Sequence, residues 1–438
     1  MTGQRLILVA IGLLGLMSPG LAHAQELPNT PILATGQLPQ AVPGQDVEMS
    51  NVIIGSVEVG IHYDDNAVLG ASPRQWDIGY GVSPSITFRE TLPRFDWSLK
   101  YGPGFDISQN LAYRNQVTQN LGGEFTWRTS KHSALSVQQT YMRGTNPFAQ
   151  TLTEAGPTLG ANNTIYLPSF VRTTILSNGE FSYQFSEHTT MGFGGSFNHQ
   201  GYKTIPHSGP TTSLIYSQAA TGNAFIAHQF SARNELGFHY VAQVIRFPAY
   251  NARTTTHSFL VSEQFTASPR TTVTLYAGPE YSLTFNQVEV NLGFIVLTFP
   301  VHANQWNASG GVIYSWTGER VAIALNYSRG ISDGGGLVGA VNLNSGTATA
   351  TFRLTPRWDL TSSIAGADDQ LLAVKTGRNE MKTYSGSAAL SRRLTRDLTL
   401  SLNYERLNET GGLGTLPIGN HDLAYGSITY SFMKPLGR

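Results

Sequence analysis

The 438-residue chain has no cysteine, 46 glycines and 28 Lys+Arg set against 28 Asp+Glu. The missing thiols exclude disulfides, thiol nucleophiles and a lipoprotein anchor. The even charge balance, with no basic or acidic block, excludes a nucleic-acid surface and a polybasic membrane patch. Charged residues are 13 % of the chain, about half the usual ~25 %, yet mean hydropathy is −0.14. A wall with one apolar face and one wet, uncharged polar face has this composition.

Arg5 gives a small positive N-terminal region, followed by an apolar run from Leu6 to Met17 that Pro19 and Gly20 break. Ala22-His23-Ala24 fits the small-x-small cleavage rule, so residues 1–24 are expected to be a signal peptide and the mature chain to start at Gln25. The run falls short of the ~20 residues a spanning helix needs. Residues 25–50 hold Pro28, Pro31, Pro39 and Pro43 with little periodicity, which predicts a flexible periplasmic lead-in.

From Asn51 on, the dominant signal is alternation at period two. Phe95, Trp97, Leu99 and Tyr101 interleave with Asp96, Ser98, Lys100 and Gly102. Leu236, Phe238 and Tyr240 face away from Glu235, Gly237 and His239. Val321 to Tyr327 and Leu398 to Tyr404 repeat the pattern, and Ala424, Gly426, Ile428, Tyr430 and Phe432 close the series. A second signal is a recurring connector: an apolar residue, Ser or Thr, then often Arg or His. It occurs at 89–94, 128–132, 185–188, 230–233, 265–270, 316–320, 354–357 and 394–396. Longer stretches rich in Gly, Asn, Pro and Thr lie between these turns, at 144–169, 203–217 and 331–343 among others.

Short turns alternating with long loops predict an all-β transmembrane up-and-down barrel of about eighteen antiparallel strands, with sixteen as the alternative. The barrel is expected over 51–432, with a tail at 433–438. Such a chain belongs in the bacterial outer membrane, with membrane lipid and the barrel-assembly machinery as partners. Six residues follow Phe432, a departure from the terminal aromatic common in outer-membrane chains. Secreted β-sandwiches and propellers also alternate, but their turns seldom sort into a short and a long set.

The search for catalytic motifs finds no G-x-S-x-G elbow, Walker loop, H-E-x-x-H or zinc spacing. The expectation is therefore a protein that is not an enzyme and needs no cofactor or metal. His188, His239 and His421 are scattered and read as polar wall or turn residues. Gly192-Phe193-Gly194-Gly195 reads as strand glycines that make room. Gly334-Gly335-Gly336 reads as a mobile external loop, since no helix follows to cradle a phosphate. Asp64-Asp65-Asn66 could hold calcium, but side chains that end a strand by bonding their own backbone explain it more simply.

The run from Val57 to Asn66 resembles the opening strand of the β-barrel porin 2 family, which tends to begin its barrel with Gly-x-x-Tyr-Asp-Asp-Asn. This chain matches at Gly60, Tyr63, Asp64, Asp65 and Asn66. The turn Leu354-Thr355-Pro356-Arg357 is similar to the family's repeated turn, as is Leu394-Thr395-Arg396. Ala67-Val68-Leu69 replaces the aromatic usual after the Asn. The resemblance runs from about residue 50 to 432. It implies a passage for polysaccharide or small polar solutes, since several members are associated with exopolysaccharide production and export, and it supplies no catalytic residues. The alternatives are a barrel enzyme hydrolysing lipid or peptide, and a structural or adhesive barrel acting through its long loops.

The face expected to line a pore is mostly Ser, Thr, Asn, Gln and Gly. Its expected charges are sparse: Asp96, Lys100, Glu405 and Arg393. His239, Tyr276 and Tyr425 complete the candidate lining, the two tyrosines being equally placed to form a rim girdle. Such a surface suits neutral or weakly charged solutes.

Overall fold

The computed structural model describes residues 51–68, 74–144, 170–205, 214–291, 296–336, 339–372, 380–411 and 419–436, without the side chains of 287–301. The expected signal peptide and lead-in, and the loop segment 145–169, lie outside these residues. Eighteen strands form one sheet. They are β1 (Val52–Asp64), β2 (Asp77–Thr91), β3 (Phe95–Ser108), β4 (Gln116–Arg128), β5 (Ser133–Gly144) and β6 (Phe170–Ser186). Next come β7 (Thr189–Thr204), β8 (Ser217–Ser231), β9 (Asn234–Phe247), β10 (Ala252–Ser268), β11 (Thr271–Asn291) and β12 (Val296–Thr317). The last six are β13 (Val321–Ser332), β14 (Val341–Thr355), β15 (Trp358–Leu371), β16 (Glu380–Arg393), β17 (Leu398–Gly411) and β18 (Asn420–Pro435).

Each strand pairs antiparallel with its chain neighbours, and β1 also pairs with β18, from Val52↔Pro435 to Asp64↔Leu423. The sheet therefore has no free first or last edge. That closure matters because every N–H or C=O left bare in lipid costs several kcal/mol. The final strand continues three residues past Phe432, so Met433–Pro435 belong to the wall and not to a tail. At the seam, glycines make room for rings. Phe432 lies over Gly55 on the outer surface, and the Tyr425 ring occupies the space a side chain at Gly60 would need.

All eight expected turns are the short connections at one end of the barrel, and their chemistry explains the repeated Ser/Thr. A hydroxyl accepts the backbone N–H two residues on: Ser130 from His132, Ser186 from His188, Ser231 from Arg233, Ser268 from Arg270, Thr355 from Arg357 and Thr395 from Asp397, at 3.1–3.4 Å. These are turn-forming bonds available from local sequence alone. The last residue of each turn then offers its carbonyl to a later strand. Arg94 accepts from Arg128, His132 from Gln184, His188 from Gln229, and the series runs round to Asp397 accepting from Ser431.

One expected loop is shorter than the sequence suggests. The stretch 331–343 contributes to both β13 and β14, which leaves only 333–340 between them.

The chain lacks cysteine, so a cross-link offers a clean test of closure. Ser56 and Ser431 face one another across the seam. The S56C/S431C variant should form a disulfide that blocks full unfolding of the heat-modifiable band. Deleting 424–432 should abolish that band, and a normal folded band from the truncation would contradict the seam.

Candidate functional site

The registers sort every strand into two faces. The outward face is apolar and exposed: Val57, Val59, Ile61, Leu402, Tyr404, Ile428 and Tyr430 are each 43–54 % accessible. Aromatics gather at both ends of this band. Phe95 stacks on Trp127 near the turns, and Tyr63 packs against Trp76 near the loops at 6.3 Å. An apolar band between two aromatic girdles is the surface a barrel presents to lipid.

The register-matched inward face carries Ser, Thr, Asn, Gln and Gly, and it also carries the candidate lining residues. Asp96 and Lys100 sit on β3, His239 on β9, Tyr276 on β11, Arg393 at the turn end of β16, Glu405 on β17 and Tyr425 on β18. They are spread round the wall and form no single cluster. Asp96 pairs with Arg128. His239 shares a 2.8 Å hydrogen bond with Ser262 and stacks on Phe225. The Tyr425 hydroxyl donates to Glu58, so that tyrosine belongs to the interior and not to a girdle.

The expectation of sparse charge is wrong. The same face also holds Glu58, Asp106, Glu124, Glu180, Glu235 and Glu280, with Arg89, Arg353 and Asp359 nearer the turns. They are scattered over many strands, so only the ring of registers reveals them as a set.

The loop end is narrowed by side chains that meet across the interior. Phe170 of β6 packs with Val341 and Leu343 of β14, Ala367 of β15 and Met381 of β16, joined by Tyr202 and Leu214. A second apolar group unites Ile215 and Ala219, Ile245 and Phe247, Ala252, Ile331 and Ala340. Strands β6 and β15 lie nine places apart in a ring of eighteen, so the first group bridges opposite walls. Ile245 and Val341 are fully buried, and each such side chain contributes roughly 1.5–3 kcal/mol.

The β13–β14 connection takes part in this septum. Pairing of β12 with β13 stops at Gly310↔Arg329, although β12 runs on to Val296. The outer end of β13 thus parts from β12 while staying paired with β14, and its Ile331 joins the buried apolar group. Ser217 on β8 donates to Asp333 Oδ2 at 2.7 Å, and the Gly335 N–H faces Oδ1 at 3.4 Å. Gly334 and Gly335 adopt φ of 68° and 62°, a left-handed conformation that glycine enters without penalty. Gly334 and Gly335 therefore lie in a buried turn and not in a mobile external loop. Sequence gave no signal for this contact, whose partners are 116 residues apart.

The opening-strand motif acts as a latch on the seam. Asp64 Oδ1 accepts the Asn66 N–H at 3.0 Å, while Oδ2 meets Arg114 at 3.4 Å. Asp65 accepts the Asp422 N–H at 2.7 Å and faces Arg74. Asn66 donates to the Asn420 carbonyl at 2.8 Å. Tyr63 points outward against Trp76. Asp64, Asp65 and His421 come close enough to hold an ion, but arginines and backbone donors already engage both carboxylates.

No family model matches the sequence, and no curated protein matches it. Among solved structures, the chain is similar to Pseudomonas aeruginosa OpdO at 13 % identity and TM-score 0.41, over 87 % of this chain and 97 % of that one. It is also similar to Acinetobacter baumannii OccAB4 at 8 % identity and TM-score 0.45, over 88 % and 99 %. At such identities the likeness extends to architecture alone. By its own closed pairing, lipid-facing band and girdles, the chain is an outer-membrane β-barrel. Its particular form has eighteen strands and a loop-end mouth crossed by an apolar septum.

Burial raises the Asp333 carboxyl above its ordinary range, against the opposing hydrogen bonds of Ser217 and Gly335 and the charge of Arg172. A raised folded value means the docked turn is most stable below the ordinary carboxylate pKa of ~3.9 and loses that stability as pH rises through the raised value. Amide hydrogen exchange of 331–341 should therefore slow on acidification. The Asp333→Asn variant should exchange at a rate independent of pH over that window. Wild-type exchange that ignores pH, once corrected for intrinsic chemistry, would contradict this.

Proposed function

We propose that this barrel is a passive pore for small polar solutes, narrowed at its loop end by the septum. The observation that supports the reading is a closed wall of eighteen strands whose inward register is predominantly hydroxyl, amide and glycine. Barrels of this strand number are wide enough to leave an aqueous interior. Passage is by diffusion along that wall, with Asp96, Lys100, His239, Tyr276, Arg393, Glu405 and Tyr425 among its lining.

Saccharides are the finer reading. Hydroxyls and amides on the wall can exchange hydrogen bonds with a sugar as water does. Polymer export rests only on the opening-strand resemblance, and the septum argues for short solutes over chains.

The test is conductance of the purified, heat-modifiable barrel in planar bilayers. Steady channels are expected. The F170A/I331S variant removes apolar contacts from both halves of the septum and should raise unitary conductance. A folded wild-type barrel that carries no current, with the variant equally silent, would end the pore reading.

A further inference from the structure

Charge inside the barrel is segregated along its axis. The inward arginines near the turns stand at strand ends: Arg89 on β2, Arg128 on β4, Arg353 on β14 and Arg393 on β16. Arg128 pairs with Asp96, and Arg353 with Asp359 at 3.9 Å. Further in, carboxylates dominate: Glu58 on β1, Glu124 on β4, Glu180 on β6, Asp106 on β3, Glu280 on β11 and Glu405 on β17. Away from the turns, the described lysines and arginines on the inward register of these strands are Lys100 on β3 and Arg172 on β6, the latter at the loop end beside Asp333.

Neutral groups hold several of these carboxylates. Glu58 accepts from the Tyr425 and Thr429 hydroxyls. Glu124 accepts the Gln138 amide at 3.1 Å, and Gln138 in turn accepts from Asn178 at 3.2 Å. Glu280 accepts from Ser258. Such donors fix a carboxylate in place and leave its charge uncancelled, whereas an arginine partner would cancel it. Glu58 and Glu124 lie on the β1–β4 arc, away from the septum's buried centre, and remain partly or fully accessible. Fixed charge of one sign in a low-dielectric wall draws in counter-ions and repels ions of like sign.

We propose that the pore favours cations and positively charged small solutes over anions, with Glu58 and Glu124 setting that preference. This rests on the pore reading above. It also counts acidic polysaccharide among the disfavoured solutes, since a polyanion would meet the carboxylate belt along its whole length. The outer rim is not the source of the preference, because its carboxylates at Asp64 and Asp65 face Arg114 and Arg74.

The test is the reversal potential of the full mature barrel in a potassium chloride gradient. The expected sign is that of a cation-selective channel. The E58Q/E124Q variant keeps the hydrogen-bond acceptors and should lower the potassium-to-chloride permeability ratio several-fold, toward unity. The R89Q/R393Q variant at the turn end should leave the ratio above unity. An anion-selective sign, or a ratio that the double variant does not move, overturns the selectivity while leaving the pore intact. A correctly folded barrel without current overturns the pore and the selectivity together, and the heat-modifiable band distinguishes that result from misfolding.

Discussion

Hydrocarbon offers a peptide group no partner, and the architecture follows from that constraint. Each strand must find both neighbours within the same chain. For sixteen of the strands the neighbours lie immediately before and after in sequence, and local turns bring them together. β1 and β18 each have one such neighbour and find the other at the opposite end of the barrel sequence. The seam is accordingly where specialised residues concentrate: Phe432 over Gly55, Tyr425 over Gly60, and the Asp64-Asp65-Asn66 latch onto Asn420 and Asp422.

The latch gives the opening-strand motif a physical meaning. Its two aspartates close the strand end against the returning strand and neutralise arginines from two connections. Gly60 has a different task, since the ring it admits carries the hydroxyl that holds Glu58. One short stretch thus serves both the seam and the interior.

The wall was largely legible in the sequence because its information is local. Alternation at period two identifies the faces, and Ser or Thr two residues before a basic residue identifies the turns. Phe95 to Tyr101 and Leu398 to Tyr404 show their lipid side without any knowledge of neighbours. The interior was far less legible. Asp333 reaches Ser217 across 116 residues, and nothing near either residue announces the other. Glu58, Glu124 and Glu180 each look like an isolated polar residue in an alternating strand. Their common face emerges only when all the registers are joined into a ring. The triple glycine misleads for a related reason: φ values that suit a floppy loop also suit a tight buried turn, and packing decides between them.

The stitching at the turn end has a consequence for how such walls change size. Every turn hands its final carbonyl to the hairpin that follows, from Arg94 to Arg128 and onward round the ring to Asp397 and Ser431. A hairpin with its turn is therefore a self-similar tile whose junction involves only the adjoining tile. Duplicating or losing one such tile would preserve the bonding scheme at that rim. Circumference could then evolve in steps of two strands, leaving the seam and its aspartates untouched.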